Sequence, residues 1–576
     1  MHILFFSPHA FFDVHTLPEL LVAESLAVNG SAVTVVTCDG TFSDHCLCHA
    51  HVPYEDAVAK NQICGKCRSH CKTNAEMFDF NFVSVSSYLT SEDYREVAAV
   101  LESVDVKSAQ QLIFRGRPVG QFSLYEFILN HKLSSLDVPL RLWPEWKAII
   151  KNCMYMTVVS EKIIASVNPD RVCLYNAYYS INRVVVSAMD EHSIPVFSLH
   201  AGSHLAKRTE FMTIFKGLDP YQLVSRHPVV KQNRIVPCDE SQVDSIKKHI
   251  DQMIQAKSPW VYSSRGSRHS ATDLRKLFSI DGAQSVLLVV MRSEDERFAA
   301  EVCGVDVFTR GAVFESQEEW LCWLISFAEE HEHFKFIIRL HPREFPNKRE
   351  SVCSSRGQEL IAFIENCECG HNVVFNKPSD NVSIYDLFKV ADVCLNSTST
   401  VGLEASLFGI PVVGMGDMVL SFDPALQKNP HDRAEYARLI LDASSQGRSF
   451  DRIVQAFRWL RFLTEYVGIS ISDGYSPSEV RRVRRLYSRF YDNIFKSQNG
   501  LSLTSILPLK CRRGSLEHGD WLRYAIENDL DSHLGYRPLN GGDENIERDL
   551  IKMVATSYMR QISRVGDFPL LEKALL

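Results

Sequence analysis

The sequence predicts an α/β protein with two α/β domains in one chain. Apolar, strand-like runs alternate with helical patterns at residues 2–38 and again at 285–340, as expected of parallel sheets. The chain has 576 residues, 45% of them hydrophobic and 23% charged, which is enough for two or three domains with buried cores. We therefore assign an N-terminal domain to 1–270, a second domain to 283–455, and a helical return segment with a C-terminal extension to 456–576.

Charge and hydropathy exclude several classes of protein. A net charge of -8 argues against nucleic acid as the main partner, because phosphate backbones are held by clustered positive charge. No stretch approaches the roughly 18 apolar residues that span a bilayer. The N-terminal MHILFFSPHAFF lacks the basic region and cleavage site of a signal peptide. We expect a cytoplasmic protein with reduced cysteines.

The first strand is followed by a polar loop with two candidate site residues. Residues 2–38 are typical of a strand, a helix and a second strand. Asp13 and His15 follow the first strand at its carboxyl end, where open parallel sheets bind ligands. The alternative is a polar loop capped by Thr16. No GxGxxG motif follows this strand, which disfavours a dinucleotide site.

A cysteine-rich insertion occupies residues 38–71. It contains six of the sixteen cysteines: Cys38, Cys46, Cys48, Cys64, Cys67 and Cys71. The spacing Cys64-Gly-Lys-Cys67 lets two thiolates reach one ion, and a second pair from Cys38, Cys46 or Cys48 would complete a tetrahedral set. We predict a structural zinc ion bound by Cys38, Cys46, Cys64 and Cys67. The alternatives are an iron–sulfur cluster that uses Cys64, Cys67 and Cys71, and a set of reduced, partly buried thiols.

Residues 205–280 are polar and irregular, and we expect a connection between the domains there. The second domain then begins with the apolar strand at 285–292, which runs into Ser293-Glu294-Asp295-Glu296-Arg297. Acidic clusters are usually solvated. Because this one follows a strand, Glu294 and Asp295 are candidate site residues.

Two further strand ends carry candidate donor-binding groups. Pro342 ends a strand and presents His341 on a loop, with Arg339 nearby to neutralise phosphate. After the strand that ends near 396, a hydroxyl run falls where a helix begins, so N–H groups and side-chain oxygens would converge on an anion. The run consists of Ser397, Thr398, Ser399 and Thr400. Glu404 lies four residues after Thr400, one too many for a capping box, and is therefore a candidate to bind the diol of a ribose. The alternative is an ordinary N-capped helix.

These segments together resemble a known family. They look like segments of bacterial GT-B glycosyltransferases that build capsule and lipopolysaccharide. The segments are SEDER after a strand, RLHPRE, SIYDLFKVADVCLNSTSTVGLEASLFGIPVV and the N-terminal ILFFSP…GSAVTVVTCDGTF. The resemblance covers most of 1–50 and 283–415. Within this family, the chain is similar in particular to capsule Kdo-transferases and GT-B sialyltransferases. It implies two Rossmann-like domains facing a cleft, with His341, Ser399 and Thr400 contacting the donor nucleotide and phosphate.

The resemblance implies transfer of a sugar from a CMP- or NDP-sugar to a surface-polysaccharide or lipid-linked glycan acceptor, without a metal at the chemistry. The family's acidic-acidic-glycine motif is matched only in part, because Glu294-Asp295 is followed by Glu296. The base therefore remains open among Asp13, His15, Glu294 and Asp295. Two alternatives are a sugar-nucleotide 2-epimerase of the same fold and a non-catalytic nucleotide-sugar-binding partner.

The segment SEVRRVRRLYSRFYDNIF at 478–495 has one apolar face and arginines on the others. Such a helix binds anionic lipid surfaces, so we expect peripheral contact with the inner face of the plasma membrane. The alternative is an amphipathic helix packed on the body of the protein.

Overall fold

The structure is a computed structural model that describes residues 1–50, 52–208, 210–218, 224, 227–257, 269–304, 313–347, 352–416, 423, 425–471, 516–534 and 538–562; the side chains of residues 13 and 14 are not described. The basic segment at 478–495 lies outside these ranges, so the predicted membrane contact remains a prediction. Within them, no helix combines the length and apolar character needed to cross a bilayer.

The strands are, in chain order, β1 (His2–Phe6), β2 (Ala32–Thr37), β3 (Asn81–Ser84), β4 (Arg171–Tyr175), β5 (Val196–Ala201), β6 (Phe211–Lys216), β7 (Ser285–Val290), β8 (Phe334–Arg339), β9 (Val373–Asn376), β10 (Val393–Asn396), β11 (Val412–Gly414), β12 (Gln427–Lys428) and β13 (Ile469–Ser470).

The α-helices are α1 (Asp13–Val28), α2 (Ala57–Met77), α3 (Ser91–Glu102), α4 (Val119–Phe122), α5 (Tyr125–His131), α6 (Trp143–Val167), α7 (Ser180–Glu191), α8 (Val229–Ile235), α9 (Glu240–Ile254), α10 (Ala271–Leu277), α11 (Glu294–Val302), α12 (Gln317–Glu330), α13 (Ser355–Asn366), α14 (Ile384–Leu387), α15 (Val401–Leu407), α16 (Arg433–Gln446), α17 (Phe450–Arg461), α18 (Gly519–Glu527) and α19 (Glu544–Ile562).

The first domain is built on a sheet of order β13-β6-β5-β4-β1-β2-β3. Strands β1 to β5 are parallel, whereas β6 is antiparallel to both β5 and β13. The parallel strands follow the order 3-2-1-4-5 of a Rossmann-like domain, in which the strand order reverses between β1 and β4. Any ligand of this sheet is therefore expected at the carboxyl ends of those two strands.

The second domain has a fully parallel sheet of order β12-β11-β10-β7-β8-β9. Counted from β7, this is the 3-2-1-4-5-6 order of a Rossmann domain, with its reversal between β7 and β10. All six residues of β8 are buried, as expected of a strand covered by helices on both faces. The prediction of an α/β protein with two Rossmann-like domains is confirmed.

The chain returns to the first domain after the second, as the GT-B resemblance implies. Strand β13 joins the first sheet, and α18 packs on α1. Helix α19 packs on α9 and α17, where the Glu547 carboxylate pairs with Arg458 at 2.5 Å. Helices α18 and α19 belong to the predicted helical C-terminal extension.

One expectation about local structure is wrong. The stretch at 205–280 is not an irregular connection, because it contains β6, α8, α9 and α10. Helix α9 begins with a capping box in which the Asp239 and Gln242 side chains each bond the other's backbone N–H, at 2.9 and 3.0 Å. Within the cysteine-rich insertion, residues 57–71 belong to α2, which runs for 21 residues from an N-cap at Asp56.

Candidate functional site

The candidate site lies at the carboxyl ends of β10, β7 and β8, which are adjacent in the second sheet. Ser397 follows β10, Ser293 lies just after β7, and His341 follows β8. Neighbouring strands are about 4.8 Å apart, so the outer two ends are roughly 10 Å apart. The fold thus brings the predicted hydroxyl run, the acidic motif and the histidine loop to one edge.

The hydroxyl run is held in shape by Asn396. Its side-chain oxygen accepts the Ser399 N–H at 3.1 Å, and its amide donates to the Ser399 carbonyl at 3.0 Å and to Gln427 at 2.9 Å. Gly402 lies against this amide, because a Cβ there would be 2.5 Å from the Asn396 Nδ2. The loop is therefore fixed before any ligand binds.

Within this run, the Ser397 hydroxyl forms no hydrogen bond with any described residue. Its Oγ is buried and has no hydrogen-bond partner in the described part of the chain, although its N–H donates to Val290 at 3.1 Å. Ser399 Oγ accepts the Val401 N–H at 3.3 Å, and Thr398 is half-buried beside it. A buried hydroxyl without a partner is costly, so Ser397 indicates a place where a ligand oxygen would bind.

Glu404 has partners that the sequence did not indicate. Tyr385 Oη donates to its carboxylate at 2.9 Å, and Thr400 Oγ1 donates at 3.4 Å. Burial raises the pKa of Glu404, and these two hydrogen bonds oppose the rise. Tyr385 is therefore an additional residue of this edge, and the ribose role of Glu404 stays a prediction.

His341 is a neutral hydrogen-bond donor in the loop after β8. Its Nδ1 accepts the Arg343 N–H at 3.3 Å and caps the 3₁₀ turn Pro342–Glu344, which assigns the ring proton to Nε2. Burial and the cations Arg343, Arg339 and Lys132 lower the His341 pKa to about 3. Neutral at physiological pH, the ring can donate Nε2–H to a phosphate or base oxygen.

Arg339 makes structural contacts in this edge. Its buried guanidinium donates to the Asn376 side chain and to the Val382 carbonyl, at 2.6 Å in the second case. Burial lowers its pKa to about 10, so the group stays charged. In this structure Arg339 anchors β9 and the following loop, and its predicted contact with phosphate remains untested.

Glu294 and Asp295 are both buried and ion-paired. The Glu294 carboxylate contacts Arg292 at 3.5 Å and also pairs with Arg297; burial would raise its pKa, but these guanidinium groups lower it. The Asp295 carboxylate accepts from Arg343 Nε at 2.9 and 3.2 Å. The ion pairs of Glu294 and Asp295 give both residues an organising position at this edge.

Helix α5 of the first domain joins the two sheet edges. At its end, Lys132 donates from Nζ to the Arg343 carbonyl at 2.6 Å and to the Val352 carbonyl at 3.3 Å. The Glu126 carboxylate accepts the Ser180 N–H at 2.8 Å, at the start of α7, the helix that follows β4. Sequence reasoning missed Lys132, because it lies 211 positions before Arg343 and no local pattern connects them.

The edge of the first sheet carries a stack of aromatic rings. The His15 ring lies on Tyr175 with centroids 3.9 Å apart, and His200 stacks on Tyr175 at 5.5 Å. Burial, with contributions from His9, His200 and Arg208, lowers the His15 pKa to about 3. Helix α1 begins at Asp13, whose side chain is outside the described structure.

A buried carboxyl group beside this stack escaped sequence reasoning. Glu19 accepts a 2.5 Å hydrogen bond from Ser7 Oγ, and burial raises the Glu19 pKa to about 8. His9 lies close enough to Glu19 and to Cys46 for both to raise its pKa. A titrating group near neutrality at a strand end is typical of functional sites. The signal in the sequence is an acidic residue on the apolar face of α1.

The predicted metal ligands are close together but do not form one set. Cys46 and Cys67 both lie beside the Cys48 thiol. Cys64 Sγ instead contacts His49 Nε2 at 3.4 Å, and Cys38 Sγ accepts the Gly40 N–H at 3.4 Å. Across the described residues, no group of three or more His, Cys, Asp or Glu side chains is arranged to hold a metal ion as it stands.

Comparison with known proteins gives remote structural similarity. No family model and no curated protein matches the chain. A putative UDP-N-acetylglucosamine 2-epimerase from Listeria monocytogenes is 12% identical over 80% of this chain and 94% of its own, with a TM-score of 0.25. KpsC from Thermosulfurimonas dismutans, a beta Kdo 2,4 transferase, is 13% identical over 50% and 79%, with a TM-score of 0.30.

UGT89C1 from Arabidopsis thaliana in complex with UDP is 10% identical over 80% of this chain and 94% of its own, with a TM-score of 0.23. At these TM-scores the similarity carries no argument about activity. The fold assignment rests on the strand order and direction of the two sheets described above.

Proposed function

We propose that the protein is a glycosyltransferase that moves a sugar from a nucleotide-sugar donor to a glycan or lipid-linked acceptor. The observation that carries this proposal is the edge formed by β10, β7 and β8. There, the buried Ser397 hydroxyl without a described partner lies at the strand-order reversal between β7 and β10, and the neutral His341 lies after the adjacent strand β8. This edge offers neutral donors to a phosphate and a fixed loop for the nucleotide.

The first domain supplies the acceptor side in this proposal. The carboxyl ends of β1 and β4 are linked to the donor edge by α5, through Glu126 on one side and Lys132 on the other. An acceptor hydroxyl bound there would meet the donor carbon between the two domains. Lys132 would keep the histidine loop in register with the first domain.

For the general base we infer His15, with Asp13 as its alternative. Glu294 and Asp295 are already paired with arginines, which favours a base on the first domain. His15 is unprotonated at neutral pH, as a base must be. The low pKa makes it a weak base in the free protein, but the negative charge of a bound nucleotide sugar raises the pKa of a nearby imidazole.

The leaving nucleotide needs no metal in this proposal. Negative charge that develops on the departing phosphate would be stabilised by His341 Nε2–H and the Ser397 hydroxyl. These donors are fixed before reaction by Asn396 and by the Arg343 N–H. Such preorganised groups stabilise a transition state without reorganisation.

The proposal is tested by incubating the protein with CMP-, UDP-, GDP- and dTDP-sugars, with and without a lipid-linked acceptor, and measuring nucleotide release. Acceptor-dependent release supports a transferase. Conversion of UDP-GlcNAc alone into a product inverted at C2, either UDP-ManNAc or UDP with free ManNAc, would identify a 2-epimerase, and binding without turnover would identify a non-catalytic partner. Either of these two outcomes overturns the proposal.

The donor site is tested separately by His341→Ala. Loss of one hydrogen bond donated to a charged phosphate oxygen is expected to weaken nucleotide binding about tenfold in calorimetry. His333→Ala is the matched control, because His333 is an exposed histidine at the opposite end of β8. Equal affinities in the two variants would show that His341 does not contact the nucleotide.

A further inference from the structure

The short strand β12 carries a side chain that extends to the donor edge. Strand β12 has two residues and lies at the end of the second sheet, beside β11. Its first residue, Gln427, is only 4% exposed, and its Oε1 accepts a hydrogen bond from Asn396 Nδ2 at 2.9 Å. Because Asn396 ends β10, on the far side of β11, the Gln427 side chain crosses one whole strand. Glutamine is mostly an exposed residue, so a buried one on this path needs a reason.

Two glycines keep this path open. A Cβ on Gly414, the last residue of β11, would lie 2.6 Å from Gln427 Nε2 and 2.4 Å from Asn429 Oδ1. A Cβ on Gly402, in the first turn of α15, would lie 3.2 Å from Gln427 Oε1. Any side chain at Gly414 would collide with the two amides, whereas glycine lets them pass. The surrounding backbone is thus fitted to a buried amide at position 427.

Asn396, Gln427 and Asn429 form an amide row in which every hydrogen bond runs in the same direction. Asn396 donates to Gln427, and Gln427 Nε2 donates in turn to Asn429 Oδ1 at 2.9 Å. With its nitrogen facing Gln427, Asn396 presents its Oδ1 to the Ser399 N–H at 3.1 Å. The reverse orientation of the Asn396 amide would place two donors together at Ser399 and two acceptors together at Gln427. The amide row therefore selects the orientation on which the hydroxyl run depends.

The turn that leads into β12 is fixed by an ion pair. Asp423 is buried, and Arg234 of α8 donates from Nε to both of its carboxylate oxygens, at 2.7 and 3.0 Å. The same carboxylate accepts the Ala425 N–H at 2.8 Å, which shapes the turn. Charge-assisted hydrogen bonds of this kind fix geometry as well as adding stability. Gln427 therefore begins from an anchored backbone position.

We propose that Gln427 is a positioning residue of the donor site, which holds the hydroxyl run in its ligand-binding shape through Asn396. This inference rests on the nucleotide-sugar site proposed above, and Gln427 acts through the loop and not by contact with the ligand. A loop that is fixed before binding loses little conformational entropy when a phosphate oxygen meets the Ser397 hydroxyl. Without Gln427, an Asn396 N–H loses its acceptor, and a buried polar group without a partner is costly. The loop would relax from its binding shape as a result.

Hydrogen exchange measures the effect on the loop in the full chain without nucleotide. Gln427→Met keeps the length of the side chain and removes both hydrogen-bonding groups, so the backbone amides of 397–404 should exchange about tenfold faster by mass spectrometry. Gln242→Met is the matched control, because Gln242 is also a buried glutamine, with a side chain that caps α9 at 3.0 Å. Exchange at 397–404 should stay at the wild-type rate in this control. An unchanged rate in Gln427→Met would overturn the proposal.

Asn429→Leu is the second variant, for the case in which Gln427→Met does not fold by circular dichroism. Asn429 is half-buried at the end of the amide row, and its replacement removes the acceptor of Gln427 Nε2. Exchange at 397–404 should still rise about threefold, because hydrogen-bonded networks weaken as a unit. Exchange at the wild-type rate would refute a role for the amide row.

Calorimetry with CMP, UDP, GDP and dTDP measures the effect on the ligand. For the nucleotide that the wild type binds, Gln427→Met should weaken binding about tenfold. In a Ser397→Ala background the same change should weaken binding by less than about threefold, because the hydroxyl that the amide row positions is absent. In a His341→Ala background the full effect should remain, since His341 lies on another loop. Equal effects in all backgrounds would leave Gln427 a general structural role and overturn the proposal.

Failure of this inference can be told apart from failure of the proposed function. If none of the four nucleotides binds the wild type, the donor site itself is refuted, and this inference with it. If a nucleotide binds the wild type and Gln427→Met with equal affinity, only the positioning role of Gln427 is refuted.

Discussion

Replacing Asp295 by Asn separates an organising carboxylate from a catalytic one. Asp295 is 2% exposed, Arg343 is 12% exposed, and their charged groups lie 2.9 Å apart. Removing one partner of a buried ion pair costs about 3–5 kcal/mol. Since Asn keeps the size of the side chain and can accept one hydrogen bond, we expect about 3 kcal/mol, or roughly a hundredfold in the unfolding equilibrium.

The Asp295→Asn change should also weaken nucleotide binding. The Arg343 N–H fixes the His341 tautomer, so a displaced Arg343 is expected to weaken nucleotide binding about tenfold. Glu296→Gln is the matched control: Glu296 is 56% exposed and 3.8 Å from the same arginine, so its loss should cost less than about 0.5 kcal/mol. Urea unfolding and calorimetry measure both quantities.

A different pattern would refute this reasoning. If Asp295→Asn keeps the wild-type stability and nucleotide affinity but loses about a thousandfold or more in turnover, Asp295 is the base. If Glu296→Gln is as damaging as Asp295→Asn, the effect arises from the net charge of the acidic motif and not from the buried pair.

Two further predictions concern the histidines. His15→Gln should lower turnover about a hundredfold or more while nucleotide affinity stays within twofold, and near-normal turnover would transfer the role of base to Asp13. Acidification should destabilise the fold, because five histidines have folded-state pKa values of about 3 to 4, below the ordinary 6.5, so the unfolded chain takes up protons first. These are His15, His200, His204, His249 and His341. The stability that these neutral rings contribute is present above about pH 6.5 and is lost as the pH falls toward 4. By pH 5 the loss is about 2 kcal/mol for each histidine. Urea unfolding that shows equal stability at pH 7 and 5 would contradict the buried, neutral rings.

The sequence was sufficient for the architecture because alternating strands and helices are local patterns. The strand at 285–290, the His341-Pro342 stop and the hydroxyl run at 397–400 were each visible from neighbouring residues. Once the strands were identified, a parallel sheet brought their ends together. The helices between 205 and 280 are predictable in the same way, since the capping box at Asp239 is a local signal in the sequence.

The charge pairing at the site could not be predicted from the sequence. Glu294 and Asp295 looked like exposed acids at a strand end, but folding buries them against Arg292 and Arg343. Whether a carboxylate is a free base or half of an ion pair depends on contacts between distant segments. Asp295 and Arg343 are 48 positions apart, and neither has a pattern that identifies the other.

The ionisation states of the two sheet edges together favour a site that binds anions through neutral donors. His341 on the second domain and His15 on the first both have pKa values of about 3, so neither adds positive charge at neutral pH. The nearby Lys132 ammonium is engaged with two backbone carbonyls. Neutral N–H and O–H donors stabilise a phosphate through the geometry of their hydrogen bonds more than through net charge. Such a site therefore selects an anion whose oxygen atoms match the positions of the donors. A transferase needs this property, because it must hold its donor tightly enough to react and still release the nucleotide afterwards.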